Sequence, residues 1–300
     1  MAKKLKSSGR GGVILAIDQG TTGTKAVLLR SDLKVLGEAS RELPQHFPRP
    51  GWVEHDLDEI YSSVRDSVRD VLQKTRVKAS ALTAIGITNQ RETTALWDSM
   101  NKKPVHRAIV WQDRRTTPEC AALKRRGLEE TFRKKTGLVL DPYFSGTKLA
   151  WLLDHVKGAR REAEAGRLLF GTIDTYLAWR LTDGESHVTD TSNASRTLLM
   201  DLAKGEWCDD LLEALSVPRV VLPEIRANDA VFGRTQDVGF LPDGIPIASI
   251  IGDQQAALFG QACFDAGEAK CTYGTGAFLV LNTGNKIVRS KQELLATAAW

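Results

Sequence analysis

A glycine- and threonine-rich segment near the start of the chain, DQGTTGTK at residues 18–25, combines residue types that can bind phosphate. Glycines allow close backbone approach, while successive N–H groups, threonine hydroxyls and the ammonium of Lys25 can hold phosphate oxygens. The carboxylate of Asp18 can hold Mg²⁺ through water. An ordinary hairpin loop is the alternative, because glycine and threonine are also common there. The segment therefore indicates a phosphate site or a plain turn.

Other positions could bind a polyol or move a proton. Arg91 donates beside Glu92, which accepts, so this adjacent pair can bind vicinal hydroxyls; the alternative is a surface ion pair of little energetic value. Trp111 can form the wall of such a site or fill a core. Asp253 lies where a predicted buried strand meets a helix, and there its carboxylate can act as a general base or simply cap the helix.

The pattern of the first segment recurs late in the chain, where a strand, the turn 274–276 and a second strand are predicted within residues 270–281. Thr22 and Thr275 are 253 positions apart, which is about one domain length. This spacing predicts two related domains, of which only the first is complete. The apolar run 294–300 has no cap, turn or polar residue to end it, and we expect it to be an interrupted buried strand.

Composition and charge exclude several classes of protein. The 300 residues are 42% apolar and 26% charged, which is typical of a globular chain and not of a disordered, collagen or coiled-coil one. The 41 basic and 37 acidic residues leave a net charge of +4, without a block of like charges, so nucleic-acid binding is not favoured. No apolar stretch is long enough for a membrane span, and neither cysteines nor histidines have metal-ligand spacing. Walker A and protein-kinase motifs are absent.

Apolar periodicity and turn residues predict an α/β domain that positions these side chains. Strands are predicted at residues 13–18, 25–30, 35–40, 82–88, 94–98, 107–111 and 247–251, with 94–98 returning from 82–88. Helices are predicted from residue 57, behind a capping box of Asp56 and Glu59, and at residues 117–126, 145–156, 173–181, 208–215 and 253 to about 264.

With two Gly/Thr hairpins and polar residues between them, the sequence resembles the FGGY family of carbohydrate kinases, which has the actin-like ATPase (ribonuclease H-like) fold. The matching segments are AIDQGTT (16–22), TNQRETT (88–94), VWQDRR (110–115), YFSGTKLAWLLDH (143–155), GDQQAALFGQ (252–261) and TYGTG (272–276). The resemblance covers nearly everything after residue 12. It implies three parts: a flexible basic tail at 1–12, an N-terminal domain at 13–261 for polyol and phosphate, and the incomplete start of a C-terminal domain at 262–300.

The resemblance implies roles for individual residues. Those expected to bind the hydroxyls of glycerol are Arg91, Glu92, Tyr143, Asp253 and Gln254, with Trp111 and Phe278 as apolar walls. Asp253 is also the expected catalytic base. Those expected to contact Mg²⁺ and the β and γ phosphates of ATP are Asp18, Thr21, Thr22, Gly23 and Lys25, with Thr275 and Gly276 closing from the second domain. Members that act on glycerol usually carry arginine at the position of Lys25. Lysine keeps the positive charge there but lacks the bidentate fork of the guanidinium.

The implied activity is transfer of the γ-phosphate of ATP to glycerol, which gives sn-glycerol 3-phosphate and ADP. The resemblance implies ATP and Mg²⁺ as cofactors, glycerol as the partner molecule and a homo-oligomer, and the lack of a secretion signal predicts a cytoplasmic protein. Because the second domain is incomplete, we expect this chain to bind ATP poorly. Another sugar or polyol kinase of the family, or a non-catalytic polyol-binding fragment, are the alternatives.

Overall fold

The computed structural model describes residues 12–274, 276–290, 292 and 294–300, and its main feature is a six-stranded sheet. Most of the predicted tail, residues 1–11, and the predicted phosphate ligand Thr275 lie outside the described residues. The strands are β1 (Val13–Gln19), β2 (Gly23–Arg30), β3 (Val35–Glu42), β4 (Glu54–His55), β5 (Leu82–Asn89), β6 (Ala95–Asp98), β7 (Ala108–Ile109), β8 (Leu168–Gly171), β9 (Val188–Asp190), β10 (Met200–Asp201), β11 (Glu206–Trp207), β12 (Glu224–Arg226), β13 (Gly233–Arg234), β14 (Pro246–Gly252), β15 (Ala269–Tyr273) and β16 (Ala277–Leu281).

The order of strands in the main sheet determines where the strands end. The order is β13-β14-β5-β1-β2-β3, in which β1, β2 and β3 form an antiparallel meander while β1, β5 and β14 are parallel to one another. In this register Gln19 lies beside Asn89, and Asn89 lies beside Gly252. The three parallel strands therefore end at the same edge, and the segments that follow them start side by side.

The helices are α1 (Leu57–Thr75), α2 (Thr117–Arg125), α3 (Glu129–Thr136), α4 (Ser145–His155), α5 (Ala159–Glu164), α6 (Ile173–Leu181), α7 (Thr191–Ala194), α8 (Asp209–Leu215) and α9 (Asp253–Gly260). Some of the helices, such as α1 and α6, pack against this sheet. Others, such as α4 and α8, form a second region with the short strands β6 and β8. None of the helices within the described ranges is both long and apolar enough to cross a membrane. The mixed α/β content confirms the predicted class, while α3, α5 and α7 were not predicted.

Helix α1 begins as the sequence predicts. The side chain of Asp56 accepts hydrogen bonds from the backbone N–H groups of Asp58 and Glu59, which satisfies two donors at the helix start. The second half of the predicted capping box does not form, because the Glu59 carboxylate contacts His46 Nε2 at 2.8 Å instead. The apolar residues at helical spacing, Leu57, Ile60, Val64, Val68 and Val71, are all buried.

Two apolar cores support the strand ends. The first lies on the main sheet and includes Leu15 and Ile17 of β1 together with residues of α1 and α6. The second joins α4 and α8 to the short β6–β8 pair, with Phe132 and Phe144 fully buried within it. The first core thus packs β1 and β5, the strands from which the loops of the strand edge leave.

Two strand predictions are wrong. The strand predicted at 94–98 forms as β6, but it does not return along β5, whose two edges are already occupied by β1 and β14. It pairs with β8 instead. Residues 294–300 are not a strand, because their N–H groups find isolated acceptors: Ala296 N–H donates to Gly137 O at 2.9 Å, and Ala298 N–H donates to Ser195 Oγ at 3.2 Å.

Two further elements are shorter than predicted. The strand predicted at 107–111 is reduced to the two residues of β7, which pair with β4. Helix α9 ends at Gly260 and not near residue 264, because Ala262 adopts a left-handed φ of 58° that no α-helix can continue through.

The second hairpin forms as predicted. β15 and β16 are antiparallel, with Ala269 beside Leu281 and Tyr273 beside Ala277. They form a two-stranded sheet of their own, which contacts α9. The paired antiparallel strands of the first segment are therefore repeated late in the described chain.

Candidate active site

A cavity opens at the edge where the three parallel strands end. Its volume is about 310 Å³, and its walls come from the segments after β1 and β5, the start of α9 and the second hairpin. The residues that line it are Asp18, Gly20, Thr21, Thr22, Arg91, Glu92, Trp111, Tyr143, Asp253, Gln254, Ala257, Thr272, Gly274, Gly276 and Phe278. Every residue predicted to contact a polyol lies on this cavity.

Arg91 and Asp253 form an ion pair across the base of the cavity. Arg91 Nε lies 3.0 Å from Asp253 Oδ1, the arginine side chain is 6% exposed, and its Nη1 donates to Gln255 Oε1 at 3.1 Å. A Cβ at Gly252 would lie 2.6 Å from Arg91 Cδ, so only glycine lets the arginine cross the strand end. Arg91 is therefore a buried charge with fixed partners, and the alternative of a surface ion pair is excluded.

Asp253 and Asp18 place two carboxylates on the same cavity. Burial raises the pKa of Asp253, with Glu92 acting in the same direction and the guanidinium of Arg91 opposing it. Burial also raises the pKa of Asp18, the carboxylate of Asp253 raises it further, and Lys25 opposes both. Asp18 is thus easier to protonate because the carboxylate of Asp253 is near.

Glu92 is held by a residue that sequence reasoning missed. Arg196 Nε donates to Glu92 Oε1 at 2.6 Å, and both side chains are buried. The guanidinium of Arg196 also lies over the rings of Tyr143 and Phe144, at 5.4 Å and 5.0 Å from their centroids. Nothing in the local sequence could reveal this partner, since the two residues are 104 positions apart.

Aromatic rings form the apolar side of the cavity. The ring centroid of Trp111 lies 5.7 Å from that of Tyr143 and 6.1 Å from that of Phe278. Trp111 Nε1 donates to Thr21 Oγ1 at 2.8 Å, which links the aromatic wall to the first Gly/Thr turn. Trp111 is half-buried and faces the cavity, so the alternative of a core tryptophan is excluded.

Residues 13–260 match the family model described as "FGGY family of carbohydrate kinases, N-terminal domain". The chain belongs to the FGGY family. Among curated relatives, the glycerol kinase of Myxococcus xanthus (strain DK1622) is 57% identical over 96% of this chain, and that of Listeria monocytogenes serotype 4a (strain HCC23) is 53% identical over the same share. This FGGY chain spans 58% of the length of both relatives.

Solved structures agree with the family fold. Glycerol kinase of Plasmodium falciparum with ADP is 38% identical, has a TM-score of 0.90 and matches 97% of this chain and 58% of its own. A ligand-bound xylulose kinase from Lactobacillus acidophilus, at 24% identity and a TM-score of 0.80 over 89% of this chain and 53% of its own, supports the fold alone. The predicted actin-like ATPase fold is confirmed.

A second residue of the FGGY site that was not predicted, Lys270, contacts Gln254. Lys270 of β15 is buried, and its Nζ donates to Gln254 Oε1 and, at 2.7 Å, to Thr272 Oγ1. Burial lowers the pKa of Lys270, while the carboxylate of Asp253 opposes the shift. The second hairpin thus reaches the start of α9 through a lysine that its sequence pattern did not single out.

Two predicted phosphate ligands do not line the cavity. Gly23 lies in β2, where a Cβ would be 2.6 Å from the carbonyl oxygen of Arg41, so its contact is with β3. Lys25 is exposed and lies 3.7 Å from Glu38, although it sits beside Asp18 in the β1–β2 register. Their role toward phosphate stays a prediction, as does that of Thr275, which the structure does not describe.

Proposed function

We propose that this chain is part of a glycerol kinase and that the cavity binds glycerol for phosphorylation by ATP. The observation that carries the proposal is the meeting of Arg91, Glu92 and Asp253 opposite an aromatic wall in one small cavity. The glycerol kinases among its relatives support this substrate. We assign the polyol and phosphate site to residues 13–261 and the start of a second FGGY domain to 262–300.

The polar residues of the cavity suit a small triol. Arg91 donates, while Glu92 and Asp253 accept, so neighbouring hydroxyls find both kinds of partner. Tyr143 and Gln254 add further polar groups, and Trp111 with Phe278 provides apolar surface for C–H groups. The volume of about 310 Å³ lies at the lower end of small-molecule pockets.

The turn after β1 supplies the phosphate side of the proposed site. Thr21, Thr22 and Gly276 line the cavity, and their hydroxyl and backbone N–H groups can hold the β and γ phosphates. Asp18 would hold Mg²⁺ through water, and a cation there would offset the unfavourable charge of the nearby Asp253 carboxylate. When bound, Mg²⁺ neutralises charge on the transferring phosphoryl group.

Asp253 is the proposed general base. Its carboxylate takes the proton of a terminal hydroxyl as that oxygen forms a bond to the γ-phosphorus and the bond to the β-phosphate oxygen of ADP breaks. Burial raises its pKa toward the range in which a base works well near neutral pH, while Arg91 keeps it ionised. It is the first residue of α9 and lines the same cavity as Thr21 and Thr22.

Two properties of the whole protein are part of the proposal. All four cysteines are free thiols, which supports a reducing compartment and hence the cytoplasm. Homo-oligomerisation, which the family resemblance implies, is a prediction that sedimentation of the purified protein would test.

Calorimetric titration of the purified chain with glycerol tests the polyol site. We expect saturable binding of glycerol and weaker binding of xylulose. Glu92→Gln removes the charged acceptor and leaves Arg196 unpaired, so it should weaken glycerol binding by about tenfold or more. Glu129→Gln, at an exposed position on α3, is the matched control. No glycerol binding, or tighter binding of xylulose, would contradict the proposal.

ATP-dependent formation of glycerol 3-phosphate tests the chemistry. Asp253→Asn should lower the rate by about 100-fold or more, because general-base catalysis contributes at least that much, while glycerol still binds. We expect slower turnover in the 300-residue chain than in the M. xanthus relative, since the hairpin that carries Gly276 is largely exposed. Equal rates would contradict the expectation that this chain binds ATP poorly.

A further inference from the structure

The backbone carbonyl of Glu92 is an unusually well-satisfied acceptor beside the cavity. It accepts hydrogen bonds from Thr94 Oγ1 at 3.1 Å, Ser145 Oγ at 3.0 Å and Lys148 Nζ at 3.2 Å. Glu92 itself adopts φ of 61°, a left-handed conformation that is unfavourable for a residue other than glycine. Three donors thus hold a strained backbone in a conformation in which the Glu92 side chain meets Arg196.

Lys148 connects this carbonyl to a second part of the site. Its Nζ also donates to the carbonyl oxygen of Tyr143 at 2.7 Å, so one ammonium bridges the loop after β5 and the residue that precedes α4 by two positions. The side chain of Lys148 is fully buried, next to the apolar residues Leu149 and Leu152 on the same helix. Burying an ammonium in such surroundings is costly unless its hydrogen bonds are made.

We propose that Lys148 is a positioning residue that fixes Glu92 and Tyr143 relative to each other and so shapes the glycerol pocket. The inference rests on the proposed function, because both side chains are assigned to the polyol. It deepens that function by naming a determinant of affinity that does not line the cavity.

The charge of Lys148 gives the proposal a pH dependence. Burial lowers the pKa of Lys148 to about 7, against the opposing carboxylates of Glu92, Asp113 and Asp141 and the thiol of Cys120. Below this pKa the ammonium donates to both carbonyls with full charge, and above it a neutral amine donates more weakly. Glycerol affinity should therefore fall as the pH rises from 6 to 9.

The other groups near Lys148 keep their protonation state in the upper part of this range. Burial raises the pKa of Cys120 to about 11 and that of Tyr143 to about 12. Both hold their protons at pH 9. A loss of affinity between pH 7 and pH 9 that disappears in a variant without Lys148 is thus assigned to this lysine.

Calorimetric titration with glycerol separates positioning from stability. Lys148→Met should weaken binding by about tenfold or more and abolish the pH dependence between 7 and 9. Leu152→Ala, a buried change on the same helix, should lower the urea midpoint while affinity stays within about twofold. Ser145→Ala, which removes another donor to Glu92, should weaken binding by a few-fold and serves if Lys148→Met does not fold.

Each outcome decides the matter. Weaker, pH-independent binding by Lys148→Met, or weaker binding by Ser145→Ala, supports the inference. Affinity within about twofold of the unaltered chain in the folded variants, or an unchanged pH profile in Lys148→Met, overturns it while the proposed function stands. Failure of the unaltered chain to bind glycerol overturns the proposed function, and the inference falls with it.

Discussion

The hairpin of β1 and β2 and the hairpin of β15 and β16 share a Gly/Thr-rich sequence pattern but have different surroundings. The first lies inside a six-stranded sheet, where Leu15 and Ile17 are 0% and 1% exposed. The second is a two-stranded sheet in which Leu279 and Leu281 are 75% and 55% exposed. Both segments form antiparallel strand pairs, but the first hairpin is flanked by a further strand on each side, whereas the second packs on α9 and has no further strand beside it among the described residues.

The largest expected effect of this difference is on the free energy of unfolding. Leu15→Ala should destabilise the chain by about 2 to 5 kcal/mol, because it leaves a cavity in the core under the main sheet. Leu279→Ala should change stability by less than about 0.5 kcal/mol, since the side chain is already exposed. Urea denaturation followed by circular dichroism measures both. Equal losses would mean that the second hairpin is as firmly packed as the first.

The next effect concerns the buried ion pair of Arg91 and Asp253 in the pocket. Arg91→Ala leaves the carboxylate of Asp253 without its partner, and removing one member of a buried charge pair costs about 2 to 5 kcal/mol. Glycerol affinity measured by calorimetry should fall by about 30-fold or more. Arg114→Ala, which breaks an exposed pair with Asp141, is the control and should leave affinity unchanged. A similar loss in both variants would contradict a local role for Arg91.

A smaller difference in glycerol affinity is expected between changes at the two aromatic residues Trp111 and Phe278. Trp111→Ala removes a ring that is fixed by Thr21 and packs on Tyr143, whereas Phe278→Ala removes a half-buried ring of the second hairpin. We expect the tryptophan change to cost more glycerol affinity, with about 1 kcal/mol lost for Phe278→Ala, in the range of an aromatic contact. A greater loss for Phe278→Ala would show that the second hairpin is the more important wall.

The smallest effect is electrostatic and lies in the first hairpin. Burial and the nearby carboxylate of Asp253 raise the pKa of Asp18 in the folded chain, so folding favours its protonated form. The stability that this group contributes is therefore present at low pH and is lost as the pH rises through the raised pKa. Asp18→Asn should increase the urea midpoint at pH 7 and lose that advantage near pH 3. A destabilising effect at pH 7 would contradict this reasoning.

Local patterns in the sequence predicted those elements whose signals are local. The spacing of Ile60, Val64 and Val68 predicts the buried face of α1, and strand β16 has the predicted bounds. The pocket residues were found because they belong to segments that resemble a family. Lys25, three positions after the matching segment 16–22, pairs with Glu38 and does not line the cavity, so its role toward phosphate stays a prediction.

Features that depend on distant partners escaped prediction. Arg196 holds Glu92 from 104 positions away, and β6 pairs with β8 because neighbours had already taken both edges of β5. The run 294–300 has the composition of a strand, but its backbone N–H groups donate to isolated acceptors. A strand would need the free edge of a sheet, which offers a continuous row of acceptors. In each case the physical determinant is competition for partners, which a sequence window does not contain.

The parallel pairing of β5 with β14 has a consequence for biosynthesis. Arg91 and Gln255 are 164 positions apart, so one flank of β5 and the buried guanidinium stay without partners until α9 has left the ribosome. Closing so long a loop is entropically costly, and unpaired strand edges are sites of aggregation. During chain synthesis this edge of β5 should therefore stay exposed until β14 is added.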